Sequence, residues 1–154
     1  MTASRDVRLE AMSETEYGPW RAEAEAHYAR SAAASGRSAQ DAARAAADTY
    51  ARLLPDEFAT PDNHFWYAYD GERRVGFLWI VVTGTTATVH NVAVESDMRR
   101  QGYGRAIMLA AERWCSDNAV TRIGLHVFAH NTGARVLYEQ LGFIETGRNL
   151  AKDL

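Results

Sequence analysis

Two glycines and three arginines crowd into Arg99-Arg100-Gln101-Gly102-Tyr103-Gly104-Arg105. The apolar run His90-Asn91-Val92-Ala93-Val94 precedes them, and Ala106-Ile107-Met108-Leu109-Ala110-Ala111, with a helical pattern, follows. The segment therefore reads as the turn where a strand hands over to a helix. A helix start carries free amides and a partial positive charge, which together attract anions. Glycine lets a ligand approach the backbone closely, and Arg99, Arg100 and Arg105 add charge-assisted contacts. Such a turn suits a phosphate or pyrophosphate; the alternative is an ordinary glycine turn with solvated arginines. The dinucleotide fingerprint is excluded, because Ile107 stands where its third glycine belongs. A Walker loop is excluded as well, since the chain has no Gly-Lys-Ser/Thr.

Other side chains add acid–base chemistry. Tyr138 follows Asn131 by two helical turns, which brings both to about one face. A phenol with a pKa near ~10 stays protonated at neutral pH and can donate; a core tyrosine is the plainer alternative. His90 lies on the strand entering the turn and His126 on the next strand. An imidazole with a pKa near ~6.5 can accept a proton there, or either ring is simply packed. His126 and His130 have the spacing of helical metal ligands but fall on a strand and its exit loop. Neither has an adjacent Glu or another Cys/His pair nearby, so no metal site is predicted. Cys115 is the sole cysteine, which forbids an intrachain disulfide; it reads as packed rather than nucleophilic.

The elements that must position these groups follow from pattern. Asp6 to Glu10 alternates weakly, as a short strand. Ser13-Glu14-Thr15-Glu16 is a capping box. It opens a helix to about Ala34, broken at Ser35-Gly36. Ser38 and Asp41 open a second helix that Pro55 stops. Tyr17, Trp20, Tyr28, Tyr50 and Leu53 are its inward candidates, but the alanine richness predicts a mobile, partly exposed pair. "HFWYAYDGERRVGFLWIVV" reads as a hairpin about Asp70-Gly71, with a further strand from Thr86 to Val94. A helix from Arg105 to about Asn118, a strand from Thr121 to Phe128 and a helix from Thr132 to Leu141 follow, with Gly142 at C′. "FIETGRNLAKDL" reads as one or two short closing strands about Gly147. The predicted class is α/β (α+β), a mixed, mostly antiparallel sheet flanked by helices.

The 154 residues suit one domain over 1–154. A hydrophobic share of 47% with a charged share of 24% is ordinary for a globular chain. A formal charge of −3 gives no case for nucleic acid. "MTASRDVRLE" lacks an apolar signal core and no run has membrane-spanning length, so a cytoplasmic protein without a membrane partner is expected.

"NVAVESDMRRQGYGRAIM" closely resembles the acetyl-CoA motif of the GCN5-related N-acetyltransferase (GNAT) family, Arg/Gln-x-x-Gly-x-Gly/Ala after an apolar strand; Arg99, Gly102 and Gly104 match. "FAHNTGARVLYEQLGF" resembles that family's Asn-x-x-Ala…Leu-Tyr-Glu-x-Leu-Gly-Phe segment through Asn131, Ala134, Leu137, Tyr138, Leu141, Gly142 and Phe143. "RVGFLW" resembles its third strand, while Ser96 and Met98 depart from a frequent proline and aromatic. The resemblance implies a splay of Val92-Ala93-Val94 away from the strand at 121–128, with acetyl-CoA as cofactor in the gap. Pantetheine would pair with Val92, Ala93 and Val94, and the Val92 amide would hold the acetyl carbonyl. The turn Arg99, Arg100, Gln101, Gly102, Tyr103, Gly104 and Arg105 would take the pyrophosphate, and Asn131 would touch the pantetheine.

It further implies direct transfer to a primary amine of a small molecule or peptide, with Tyr138 as the acid for the departing thiolate. His90 matches a histidine that takes part in proton removal in arylalkylamine N-acetyltransferases. His126 stands where RimI-type protein N-terminal acetyltransferases carry a glutamate base. The core would span 86–143 and the helical pair 14–54 would face the acceptor, whose identity is left open. Dimerisation is common in the family. A CoA-binding sensor or interaction module without catalysis is the rival reading.

Overall fold

Ser13 stops the chain from extending and starts it coiling. Its hydroxyl accepts from the Glu16 amide at 3.2 Å, and the Glu16 carboxylate accepts from the Ser13 amide at 2.9 Å. The computed structural model describes residues 5–154; residues 1–4, the start of the stretch read for a signal core, lie outside them. After β1 (Arg8–Ala11), this capping box opens α1 (Glu14–Ala34), which runs through Pro19. Gly36 then turns the chain with φ +116°, and the Ser38 hydroxyl caps α2 (Ala39–Leu53) by accepting from the Asp41 amide at 3.1 Å. β2 (Asn63–Asp70), β3 (Arg73–Thr83) and β4 (Thr86–Val94) form a meander. Its two tight turns use Gly71 and Gly84 at φ +61° and +62°, the region glycine enters freely. α3 (Tyr103–Asp117), β5 (Arg122–Leu125) and α4 (Thr132–Gln140) complete the order.

The sheet order is β1-β2-β3-β4-β5, antiparallel except for the parallel β4–β5 pair. It is the mixed, mostly antiparallel sheet expected. Each face is covered. On one, Val75, Leu78, Ile80, Val89 and Trp66 pack under Tyr103, Ile107, Met108 and Ala111 of α3. On the other, Phe65, Tyr67, Phe77 and Trp79 pack under Tyr17, Trp20 and Ala24 of α1 and Tyr50 of α2.

Three expectations are corrected. β1 begins at Arg8, not Asp6, and β5 ends at Leu125 instead of running to Phe128. No strand forms beyond residue 142: Ile144, Leu150 and Leu154 are exposed and too sparse to sustain a two-residue alternation. The α1–α2 pair is partly exposed, as expected, with a narrow buried stripe. Ala24, Ala42 and Ala46 are fully buried, so small side chains let the helices approach and seat Trp20 and Tyr50 in the core. Among the described residues, no helix is long and apolar enough to cross a membrane.

Candidate active site

β4 outruns its partner. It pairs with β5 only from Thr86↔Arg122 to Val89↔Leu125, then continues to Val94 alone on that side. The strands therefore part, and the outward backbone groups of 90–94 have no strand beside them. An unpaired edge of this kind is a template for an extended ligand.

Two local features aim this edge. Between Trp79↔Asn91 and Ile80↔Val89 the register slips, leaving His90 as the extra residue of a bulge. Val89 and Val92 face the α3 side. His90, packed on Trp79 at 4.9 Å, and Asn91, bonded to α1, both face the other. Gly76 then lets β3 and β4 close up. A Cβ there would lie 2.2 Å from the Ala93 carbonyl oxygen and 2.9 Å from Ile107 Cδ1.

The chain leaves β4 through a 3₁₀ turn (Ser96–Met98), with Met98 buried as a plug. Arg100 (φ +60°) and Gly102 (φ +86°) are both left-handed, which curls the backbone about the start of α3. Gly102 is the N-cap and provides no side-chain cap. Among the described residues, nothing accepts from the amides of Tyr103, Gly104 or Arg105, and no carboxylate pairs with Arg99, Arg100 or Arg105. The neighbouring cations are neutralised: Arg73 pairs with Asp97 at 2.9 Å and Arg74 with Glu95 at 3.0 Å. Arg99 Nε donates to the Val94 carbonyl at 3.5 Å; three guanidinium groups without a carboxylate partner and an uncapped helix start together form an anion seat. The Tyr103 ring is buried and its hydroxyl donates to Asp70 at 2.5 Å, anchoring α3 to the β2–β3 turn. Only its amide is thus free for a ligand. The Gln101 carbonyl is held by Arg5 at 3.2 Å.

α4 closes the far side. A Cβ on Gly104 would lie 3.5 Å from Leu137 and 3.8 Å from Val94, so α4, the α3 start and the end of β4 converge. Asn131 caps α4 by accepting from the Ala134 amide at 3.2 Å, which leaves its amide protons available. Tyr138, next to Leu137, is half-buried against Phe143 at 5.6 Å. Burial raises its pKa and keeps the phenol protonated.

Opposite the seat, α1, α2 and the exit of β5 line the gap. Tyr28 packs on Tyr50 at 6.1 Å and on Phe128 at 5.9 Å, and His126 stands edge-on to Phe128 at 5.0 Å. His126 is exposed past the end of β5. Burial, then the nearby Arg52, lowers the His90 pKa. Asn91 is the one polar residue buried among those described; its Nδ2 donates to Tyr50 Oη at 2.8 Å and to the Ala24 carbonyl at 3.2 Å. Sequence reasoning passed over it. The available signal was two consecutive polar residues, His90-Asn91, inside a β-branched run.

The model of the acetyltransferase (GNAT) family matches residues 17–143. The chain belongs to the GNAT family. The uncharacterised N-acetyltransferase YycN of Bacillus subtilis is 30% identical over 154 residues, covering 96% of this chain and 99% of that one. The crystal structure of YycN superposes with a TM-score of 0.90 at 29% identity, over 96% and 98% of the two chains. The PaiA N-acetyltransferase of Thermoplasma acidophilum, solved with coenzyme A, has the same fold: TM-score 0.73, 15% identity, 94% and 93% covered. The bS18-alanine N-acetyltransferase of Escherichia coli is 42% identical, but over 59 residues, 38% of this chain and 40% of that one.

Proposed function

We propose that the protein transfers an acetyl group from acetyl-CoA directly to a primary amine. The observation that carries this reading is the parting of β4 from β5 after Val89↔Leu125, with the strand running on into an uncapped, arginine-rich helix start. Acetyl-CoA supplies a thioester whose carbonyl is open to attack. The edge of 92–94 binds its pantetheine arm as an added strand, and the amides of Tyr103, Gly104 and Arg105, with Arg99, Arg100 and Arg105, hold its pyrophosphate. Asn131 contacts the arm from the start of α4. The Val92 amide donates to the carbonyl oxygen and stabilises the charge that grows there as nitrogen attacks. Tyr138 donates its proton to the departing sulfur. His90 and His126, at the two lips of the gap, are the imidazoles read from sequence as bases for the acceptor ammonium.

The acceptor approaches from the α1–α2 side, a small-molecule or peptide amine. The name of the bS18-alanine enzyme does not choose between these, because the shared segment spans well under half of either chain. The test is turnover of acetyl-CoA against a panel of amines and N-terminal peptides, followed by free thiol. Tyr138→Phe should lower kcat by ~10²-fold or more while acetyl-CoA affinity, measured calorimetrically, stays within a few-fold. Tight binding of acetyl-CoA without turnover of any amine supports the rival, a binding module.

A further inference from the structure

A third imidazole, absent from the sequence reading, stands near the end of β4. His27 lies on α1, edge-on to Phe77 at 6.3 Å, and Phe77 pairs with Ala93 of β4. Asn91 lies one turn away, its Nδ2 bonded to the carbonyl of Ala24, which shares the His27 face of α1. Of the ring nitrogens, only Nδ1 is closed off from solvent with no hydrogen-bond partner among the described residues. Asn91 has already spent its two amide protons, on Tyr50 Oη and the Ala24 carbonyl, so the group it can offer His27 is its oxygen. Once that oxygen accepts from Nδ1, the neutral ring's proton is held on Nδ1 and its lone pair is left on Nε2.

The geometry points to His27, oriented by Asn91 and Tyr50, as the general base that takes the acceptor's ammonium proton. This rests on the acetyl-transfer reading above. Asn91 immediately precedes Val92, so the base and the amide that holds the carbonyl are fixed by adjacent residues of one bulged strand. His90 is instead packed on Trp79, and His126 sits exposed beyond the last β5 pair. The charged groups acting on His27 are Arg30 of α1 and Arg99 of the glycine turn; β4 presents Asn91 and β3 the neutral Phe77. Burial and both arginines lower its pKa, and Asn91 opposes them in part, so the ring is neutral and ready at neutral pH. One proton passes from the ammonium to Nε2 and then to solvent. The second, shed by nitrogen as the C–N bond forms and the C–S bond breaks, balances the proton that Tyr138 gives to sulfur.

The experiment is the pH profile of kcat/KM for wild type, His27→Gln, Asn91→Asp, His90→Gln and His126→Gln on an amine that the wild type turns over. His27→Gln should lose ~10²-fold or more in kcat with acetyl-CoA affinity unchanged, and its ascending limb should vanish. Asn91→Asp should move the limb to higher pH, because a carboxylate beside the ring favours the imidazolium. Nitrogen-15 NMR of the imidazole should find the proton on Nδ1, a readout that needs no turnover. A His27→Gln enzyme with the wild-type limb, or a ring protonated on Nε2, overturns the assignment. If the wild type turns over no amine, the acetyl-transfer reading falls and the base falls with it.

Discussion

The two sides of the gap are built by different means. The side proposed to hold the cofactor is mostly backbone: free amides of an uncapped helix, left-handed Arg100 and Gly102, and a strand edge left open where β5 stops. The side proposed to face the acceptor is mostly side chain. Trp20, Tyr50, Phe65, Phe77 and Trp79 interlock at centroid distances of 5.0–6.0 Å, and the one buried polar link joins Asn91 to residues 41 and 67 positions away. Backbone sites tolerate a change of side chain, provided the φ angles survive. Side-chain sites transmit every change in packing. The first construction can hold one cofactor across a family, and the second can vary with the amine.

Cutting the aromatic core should break this contrast most severely. Trp20 is fully buried and meets Phe65, Phe77 and Trp79 at 5.0, 5.8 and 5.8 Å. Trp20→Ala should cost ~3–5 kcal/mol in chemical denaturation and loosen α1 from the sheet. The same variant should weaken acetyl-CoA binding far less than it raises KM for the amine, if the two sides are as separate as their construction implies. Trp20→Phe should cost less, since the indole N–H it removes has no partner among the described residues.

A smaller loss is expected at Gly76, where the two sides share a backbone. The Cβ of Gly76→Ala would meet the Ala93 carbonyl oxygen, which is not a group that can swing aside. β4 must shift, at a cost of ~1–3 kcal/mol. Because β4 carries both the cofactor edge and Asn91, acetyl-CoA affinity and amine KM should worsen together, read by calorimetry and steady-state kinetics. A change in one without the other would show that the bulge at His90 decouples the sides.

The same contrast explains what could be read in advance. The glycine turn, the Asn131 cap and Tyr138 lie within 41 consecutive residues, from Arg99 to Glu139, and their chemistry depends on local spacing. The capping box at Ser13 and the hairpin at Asp70-Gly71 are local too, and both stand as expected. The bulge was not legible, because it is a mismatch between β3 and β4 visible only once they pair. Asn91 looked like a polar interruption until Ala24 and Tyr50 arrived from α1 and α2. His27 had no motif at all; its place depends on the turn at Ser35-Gly36 folding α2 back along α1.

The smallest expected effect separates the sides by titration. His27 and His90 both face the acceptor side, and burial lowers the pKa of each. A lowered folded-state pKa means that, between that value and the unfolded ~6.5, the unfolded chain binds more protons than the folded one. Stability therefore rises with pH through this window, is lost as the solution is acidified through it, and levels off below it. The cofactor seat offers guanidinium groups, a side-chain type that does not titrate in this range. Denaturant midpoints taken across mildly acidic to neutral pH should thus decline on the acid side, and His27→Gln should flatten part of that decline. His90→Gln should flatten another part, independently, since His90 packs on Trp79 and responds to Arg52 while His27 responds to Arg30 and Arg99. Asn91→Asp should invert the His27 share, because a raised folded-state pKa is a contribution present at low pH and lost as pH climbs through it. A pH dependence untouched by either substitution would mean that neither imidazole is held neutral by the acceptor side.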